Sequence, residues 1–266
     1  MNALQSAFAE KDHVRLIPFI MTGDPNLAVT IDIIELLEQE GVAAIELGVP
    51  FSDPMADGPV IQAAATRALD NRVHLQDVLE VAKAARKRGC KVPFILFSYY
   101  NPLLQYGLKS LVHDAKQAGF SGMIVPDLPF EESDSLREMA TEVDVALIPL
   151  VAPTSEQRIS AIVKHATGFV YCVSSLGTTG VRHSFSDEVI TFLEKVRELS
   201  PVPTAVGFGI SKAEHVQTFA QYADAVIVGS ALVQKIEEQS SRLSRAETKA
   251  EGLQQIREFV RGLKSK

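Results

Sequence analysis

Residues Ile45–Gly58 read IELGVPFSDPMADG, a short apolar run that gives way at once to a loop rich in Pro, Gly and Asp. By composition the run ends a buried strand, yet it carries one ionisable residue, Glu46, where an apolar one is expected. The loop adds two more acids, Asp53 and Asp57. A carboxylate at the tip of a buried strand is unfavourable unless it is protonated, hydrogen-bonded or used. That cost marks position 46 for function.

Working outward, the same change from apolar run to polar loop to helical pattern recurs from end to end. Strands are predicted over Arg15–Thr22, Val42–Gly48, Val92–Ser98, Gly122–Val125, Val145–Leu150, Gly168–Val173, Val202–Gly207 and Ala225–Gly229. Between them apolar residues recur near a period of 3.6. Examples are Val29, Ile33, Leu36 and Leu37, then Leu75, Val78, Leu79, Ala82 and Ala85, then Ile159, Ile162 and Val163, then Val189, Phe192, Leu193 and Val196. Helix starts are expected at Thr154-Ser155-Glu156, Ser186-Asp187-Glu188 and Ser211-Lys212-Ala213-Glu214, where a hydroxyl or acid stands at the cap.

Strict alternation of near-continuous apolar strands with helices predicts a parallel sheet covered by helices. Eight such units suit an α/β fold of the closed (β/α)8 TIM-barrel type. An open doubly wound sheet would carry a Gly-rich dinucleotide turn after its first strand, and Thr22-Gly23-Asp24-Pro25 lacks that spacing. No linker-like or low-complexity segment interrupts residues 1–266, so a single barrel domain is expected. An extra N-terminal helix places Leu4, Ala7 and Phe8 on one side. Near the other end, the polar patch Gln239–Arg245 is expected to separate a short helix from a terminal one. The terminal helix carries Leu253, Ile256, Val260 and Leu263 on one face and closes the barrel.

Composition narrows the function classes. Hydrophobic residues make up 46% of the chain and charged ones 22%, enough for a sizeable core. A net charge of −7 gives no electrostatic footprint for nucleic acid. No apolar run is long enough to span a bilayer, and the N-terminus lacks the unbroken apolar stretch of a secretory signal. Cys90 and Cys172 match no pairing motif, which fits a reducing, cytoplasmic compartment and two small core hydrophobes.

In a barrel of this kind functional groups collect at the C-terminal ends of the strands. Those ends hold Thr22-Gly23-Asp24, Glu46 with Asp57, Tyr99-Tyr100-Asn101-Pro102, Pro126-Asp127-Leu128-Pro129, and Tyr171 followed by Ser174–Gly180. The last two hold Gly207-Phe208-Gly209 and Gly229-Ser230. Glycines after the last two strands, each opening a helix, expose backbone N–H groups to an anion, and these loops are the usual phosphate cradle of barrels. Ser230 adds a hydroxyl, and Gly180 closes the cradle from the long loop.

Glu46 reads either as a proton-transfer group or as a carboxylate held by a neighbouring amide or cation. Burial without a cation would raise its pKa toward neutrality, which suits a group that must give and take a proton. Asp57, expected in an exposed loop, either caps its turn or joins the chemistry. Tyr171 is core, or lines the pocket with its hydroxyl or ring edge. The six histidines show no ligand spacing, so no metal is expected. There is no Gly-x-Ser-x-Gly elbow, and no Lys stands at a strand end for an imine.

Together with FIMTGDP (19–25), SYYNPLLQYG (98–107), VPDLPFEES (125–133), GFG (207–209) and VGSALV (228–233), the opening motif resembles the tryptophan synthase alpha-subunit family over essentially the whole chain. The resemblance implies retro-aldol cleavage of indole-3-glycerol phosphate to indole and glyceraldehyde 3-phosphate, with no cofactor in this chain. It also implies a pyridoxal-phosphate-dependent beta subunit as partner, in a two-alpha, two-beta assembly with allosteric control and channelling of indole through a tunnel. By matching positions, Glu46 is the general acid/base and Asp57 contacts the indole N–H. Thr179, Gly180, Gly209, Gly229 and Ser230 match substrate-binding positions, the glycines and the serine holding the phosphate. Phe19, Tyr99, Tyr171 and Phe208 shape the indole pocket or its mouth, and Pro50, Asp53 and Asn101 lie in segments that face the partner. Thr178 stands where the family more often has valine, in a loop that acts as a lid. A free-standing lyase and a catalytically silent phosphosugar sensor are the alternatives; retention of both Glu46 and Asp57 speaks against the sensor.

Overall fold

A computed structural model describes residues 3–8, 15–155, 158–173, 187–207 and 209–265. Nine strands form one all-parallel sheet: β1 (Arg15–Met21), β2 (Ile45–Gly48), β3 (Phe94–Phe97), β4 (Phe120–Ile124), β5 (Ala146–Leu147), β6 (Leu150–Val151), β7 (Val170–Val173), β8 (Thr204–Gly207) and β9 (Ala225–Val228). The order is β5-β4-β3-β2-β1-β9-β8-β7-β6. Its two ends, β5 and β6, are halves of one continuous stretch. Between them the Ile148 N–H donates to Met123 O on one side, and Pro149 O accepts from the Tyr171 N–H on the other. Proline has no N–H to give to a ladder, so the fifth strand is divided there. The sheet thereby closes into the eight-stranded TIM barrel.

Alternation along the strands sorts side chains between two cores. Ile45, Leu47, Leu96, Met123 and Val206 lie in the outer core beneath the helices. Ile17, Ala44, Ile95, Ile124, Phe169, Ala205 and Ile227 fill the barrel itself. Helix α1 (Ala3–Ala7) joins the inner core, because Leu4 and Phe8 are both buried within it. A Cβ at Gly122 would stand 2.8 Å from the Leu4 side chain, so only glycine lets α1 plug the barrel where the strands begin. The opposite end, where the strands finish, stays available for a site.

The remaining helices are α2 (Leu27–Gln39), α3 (Pro59–Asp70), α4 (Leu75–Lys87), α5 (Tyr100–Tyr106), α6 (Leu108–Ala118), α7 (Asp134–Glu142), α8 (Ile159–Lys164), α9 (Asp187–Leu199), α10 (Ala213–Phe219), α11 (Ser230–Leu243) and α12 (Lys249–Lys264). Two stand between β2 and β3, as between β3 and β4, and α3 is one of the additions to the simple repeat. It begins with Pro59 directly after Gly58, a proline at the first helical turn where a missing N–H does no harm.

Three local expectations are corrected. The patch Gln239–Arg245 does not end a short helix; α11 runs 14 residues to Leu243, because Ile236, Gln239 and Leu243 lie on its buried face. Arg242 satisfies the Gln239 side chain. Helix α8 starts at Ile159 rather than near Ser155, and a 3-10 turn occupies Pro153–Ser155. Helix α10 is preceded by Lys212, with Ser211 one position further out and its N–H given to His215 Nδ1. The start expected at Ser186 lies outside the described residues, although α9 begins at Asp187.

Candidate active site

Glu46 projects into the barrel. Its neighbours Ile45 and Leu47 point outward, and its register partners across the sheet are Phe19 on β1 and Ile95 on β3. The residue is 1% exposed, and among the described residues its Oε1 has no hydrogen-bond partner. Burial alone pushes its pKa up from the ordinary 4.5 to about 8. At neutral pH the carboxyl therefore holds its proton.

Asp57 approaches from the loop that follows β2. It is half-buried rather than exposed, and desolvation raises its pKa, opposed by a hydrogen bond from the Tyr99 hydroxyl. The Tyr99 oxygen also accepts the Ala56 N–H at 3.0 Å, and Gln62 Nε2 donates to the Asp57 carbonyl at 2.8 Å. Phe51 lies against the Tyr99 ring, centroids 5.3 Å apart. Asp57 is thus held from both sides of its loop, which is more than turn capping requires.

Tyr171, inward on β7, connects the two acids. Its phenol is raised well above its usual pKa by burial first, and then by the negative charges of Glu46 and Asp57. Two glycines make room for the aromatic wall. A Cβ at Gly207 would meet the Tyr171 hydroxyl at 2.6 Å, and one at Gly48 would meet the Phe19 ring at 2.6 Å. Phe97 completes the wall, edge-on to Phe19 at 5.3 Å and 80°.

Next to β1 in the sheet, Gly229 follows β9 and caps α11, its carbonyl accepting from the Leu232 and Val233 N–H groups. The first two N–H groups of the helix, those of Ser230 and Ala231, have no carbonyl within the helix to meet, so they are available to an anion. Gly209 sits at φ +64°, a left-handed conformation suited to glycine. It does not open a helix as expected: β8 ends at Gly207 and α10 starts only at Ala213.

The sequence model described as tryptophan synthase alpha chain matches residues 5–265. The chain belongs to this family. The tryptophan synthase alpha chain of a Geobacillus species is 48% identical, with 93% of this chain and 94% of the relative covered. That of Bacillus subtilis strain 168 is 49% identical over 92% and 91%. A chain in the tryptophan synthase a2b2 complex of Pyrococcus furiosus superposes with a TM-score of 0.85 at 36% identity, covering 96% of this chain and 99% of that one. The alpha subunit from Legionella pneumophila gives 0.84 at 34%, over 98% and 99%. As a tryptophan synthase alpha chain the protein is a carbon–carbon lyase of tryptophan biosynthesis acting on indole-3-glycerol phosphate.

Within that family frame Phe19, Glu46 and Tyr171 stand on β1, β2 and β7, Asp57 and Tyr99 in the segments after β2 and β3, and Gly209, Gly229 and Ser230 after β8 and β9, between β7 and β1. Thr178, Thr179, Gly180 and Phe208 lie outside the described residues. Of the residues expected to face a partner, Asp53 and Asn101 are exposed and Pro50 is buried. Close in sequence to them, Met55 is 89% and Leu104 48% exposed. Among the described residues no group of three or more His, Cys, Asp or Glu stands close enough to hold a metal, and no helix is long and apolar enough to cross a membrane.

Sequence reasoning missed Phe97, although a signal was available: it lies two positions beyond Ile95 and shares its inward parity. It also missed the clamp of Arg67 on Asp24, whose partners lie 43 residues apart and announce nothing locally.

Proposed function

We propose that Glu46 and Asp57 carry the retro-aldol cleavage, with the substrate's phosphate held by backbone N–H groups near Gly209, Gly229 and Ser230. The observation that carries this reading is the buried carboxyl of Glu46, whose Oε1 has no partner among the described residues, with a second desolvated acid, Asp57, in the loop that follows the same strand. Glu46, protonated at pH 7, gives its proton to the ring carbon that bears the glycerol chain. This converts the ring to an indolenine cation, whose positive nitrogen is stabilised by Asp57 in a site shielded from water. The carboxylate left on Glu46 then takes the proton from the hydroxyl of the adjacent chain carbon. The carbon–carbon bond breaks, its electron pair restores the aromatic ring, and the chain departs as the aldehyde. Proton count balances over the cycle, and no cofactor of this chain enters.

Phe19, Tyr99, Tyr171 and Phe97 form the walls against which the indole lies, and phosphate binding after β8 and β9 fixes its orientation. By the family resemblance Thr179, Gly180 and Phe208 also take part in binding the substrate. A beta subunit carrying pyridoxal phosphate consumes the indole in a two-alpha, two-beta assembly in the cytoplasm. Support for a partner surface comes from Met55 and Leu104, two exposed apolar side chains near Asp53 and Asn101.

The test is indole release from indole-3-glycerol phosphate, with and without an added beta subunit. Glu46→Gln is expected to lower turnover about 10²–10⁴-fold while glycerol 3-phosphate still binds. Near-normal turnover in that variant would remove Glu46 from proton transfer, and brisk turnover of the isolated chain would favour a free-standing lyase.

A further inference from the structure

Helix α3 leaves directly from Asp57 and Gly58, and it is anchored at its far end by an ion cluster that the chemistry above does not use. The Arg67 guanidinium donates through Nε and Nη2 to both oxygens of Asp24, at 2.9 and 2.8 Å. Its remaining nitrogen, Nη1, reaches Glu237 at 2.8 Å. Asp24 is 3% exposed and lies in the loop after β1. The same loop is held by Asn71, whose Nδ2 donates to the carbonyls of Gly23 and Pro25. Glu237 lies on α11, two turns beyond Ser230.

The apolar face of α3 makes the same two connections. Ile61, Ala64, Ala65 and Ala68 pack in one cluster with Phe19, whose ring lines the site, and with Val233, one turn along α11 from Ser230. The helix is about 18 Å long at the usual rise per residue. It therefore runs from the Asp57 loop to a contact with α11 at Glu237, two turns along that helix from Ser230. A fork-shaped guanidinium is needed at 67, because a single ammonium cannot hold Asp24 in two bonds and Glu237 in a third.

We propose that Arg67 is a positioning residue that ties the placement of Asp57 to the grip of α11 on the substrate's phosphate. This rests on the phosphate-binding role proposed above. When phosphate settles on the first turn of α11, that helix is fixed. Through Glu237, Arg67 and Val233, α3 is fixed with it, and Asp57 is held in line with the indole nitrogen.

Amide hydrogen exchange of the full chain with glycerol 3-phosphate tests the coupling without any turnover. In the wild type the ligand is expected to slow exchange across residues 59–66. In Arg67→Met that slowing is lost, while the Kd for glycerol 3-phosphate stays within about twofold, because the backbone cradle is untouched. With indole-3-glycerol phosphate, kcat of Arg67→Met falls about tenfold at little-changed KM, the mark of lost alignment. Arg67→Lys recovers only part of it. If Arg67→Met fails to fold, Glu237→Gln keeps the Asp24 pair and is expected to lose about half of the slowing. Slowing that persists in the variants overturns the proposal, as does a Kd that weakens in step with kcat. Failure of the wild type to bind glycerol 3-phosphate would instead defeat the phosphate reading, and this proposal with it. Binding that leaves 59–66 unchanged in the wild type defeats this proposal alone.

Discussion

Asp24 and Glu46 lie one strand apart at the mouth of the barrel, and both are almost wholly buried, at 3% and 1% exposure. Asp24 meets a guanidinium with both oxygens; Glu46 leaves an oxygen with no partner among the described residues. The first is a carboxylate whose charge is answered, and its burial serves the fold. The second keeps its proton because no cation among the described residues answers its charge, and its burial fits the proton-transfer role proposed above. Burial of an acid is therefore a weak pointer to function, and burial without a partner is a strong one.

The sharpest way to break this contrast is the pH dependence of stability. The unfolded chain releases the Glu46 proton near 4.5 and the folded chain holds it to about 8. Between those values the folded state binds the extra proton, so stability falls as pH rises through the window and levels off on either side. Glu46→Gln is expected to abolish that fall, gaining on the wild type by up to ~5 kcal/mol from pH 4 to 9 in urea titrations. Parallel curves for the two proteins would mean that the carboxyl is ionised or partnered after all.

Asp24→Ala is expected to act in the other direction, destabilising by about 2–3 kcal/mol. The figure is below that of a fully buried pair because the Arg67 side chain is 29% exposed. Urea midpoints measure it, and an unchanged midpoint would show that Asp24 needs its partner no more than Glu46 does. A smaller effect is expected at Tyr99→Phe, which removes the donor to Asp57 and the acceptor for the Ala56 N–H. The loss is about 1 kcal/mol of stability and roughly tenfold in turnover. It should come with an Asp57 pKa higher than in the wild type, followed by NMR titration. Last is Arg158→Met, which breaks an ion pair with Glu131 in which both side chains are more than half exposed. Its expected effect is the smallest of the four, a thermal midpoint little changed at low salt and unchanged at high salt.

Strand positions were legible because apolar runs and glycine-rich loops are local signals. Glu46 was legible because an acid interrupts such a run. The loop after β2 was harder: Asp57 reads as an exposed turn residue until Tyr99, 42 positions later, is folded against it. Gly207 reads as a backbone donor, and only the Tyr171 ring opposite it reveals that the missing side chain is what matters. Gln239 reads as a helix breaker in a polar patch, although it lies on the buried face of α11 with its amide bonded to Arg242.

The order of apolar and polar residues by itself determined the barrel, the strand that carries Glu46, and the family to which the motifs point. These follow from periodicity and composition, which act over a few residues at a time. Tertiary structure alone decided which buried acid found a cation, which glycine admits a ring, and that α3 ties the Asp57 loop to α11. Each depends on atoms distant in sequence meeting within a few ångströms, and no local pattern encodes that meeting.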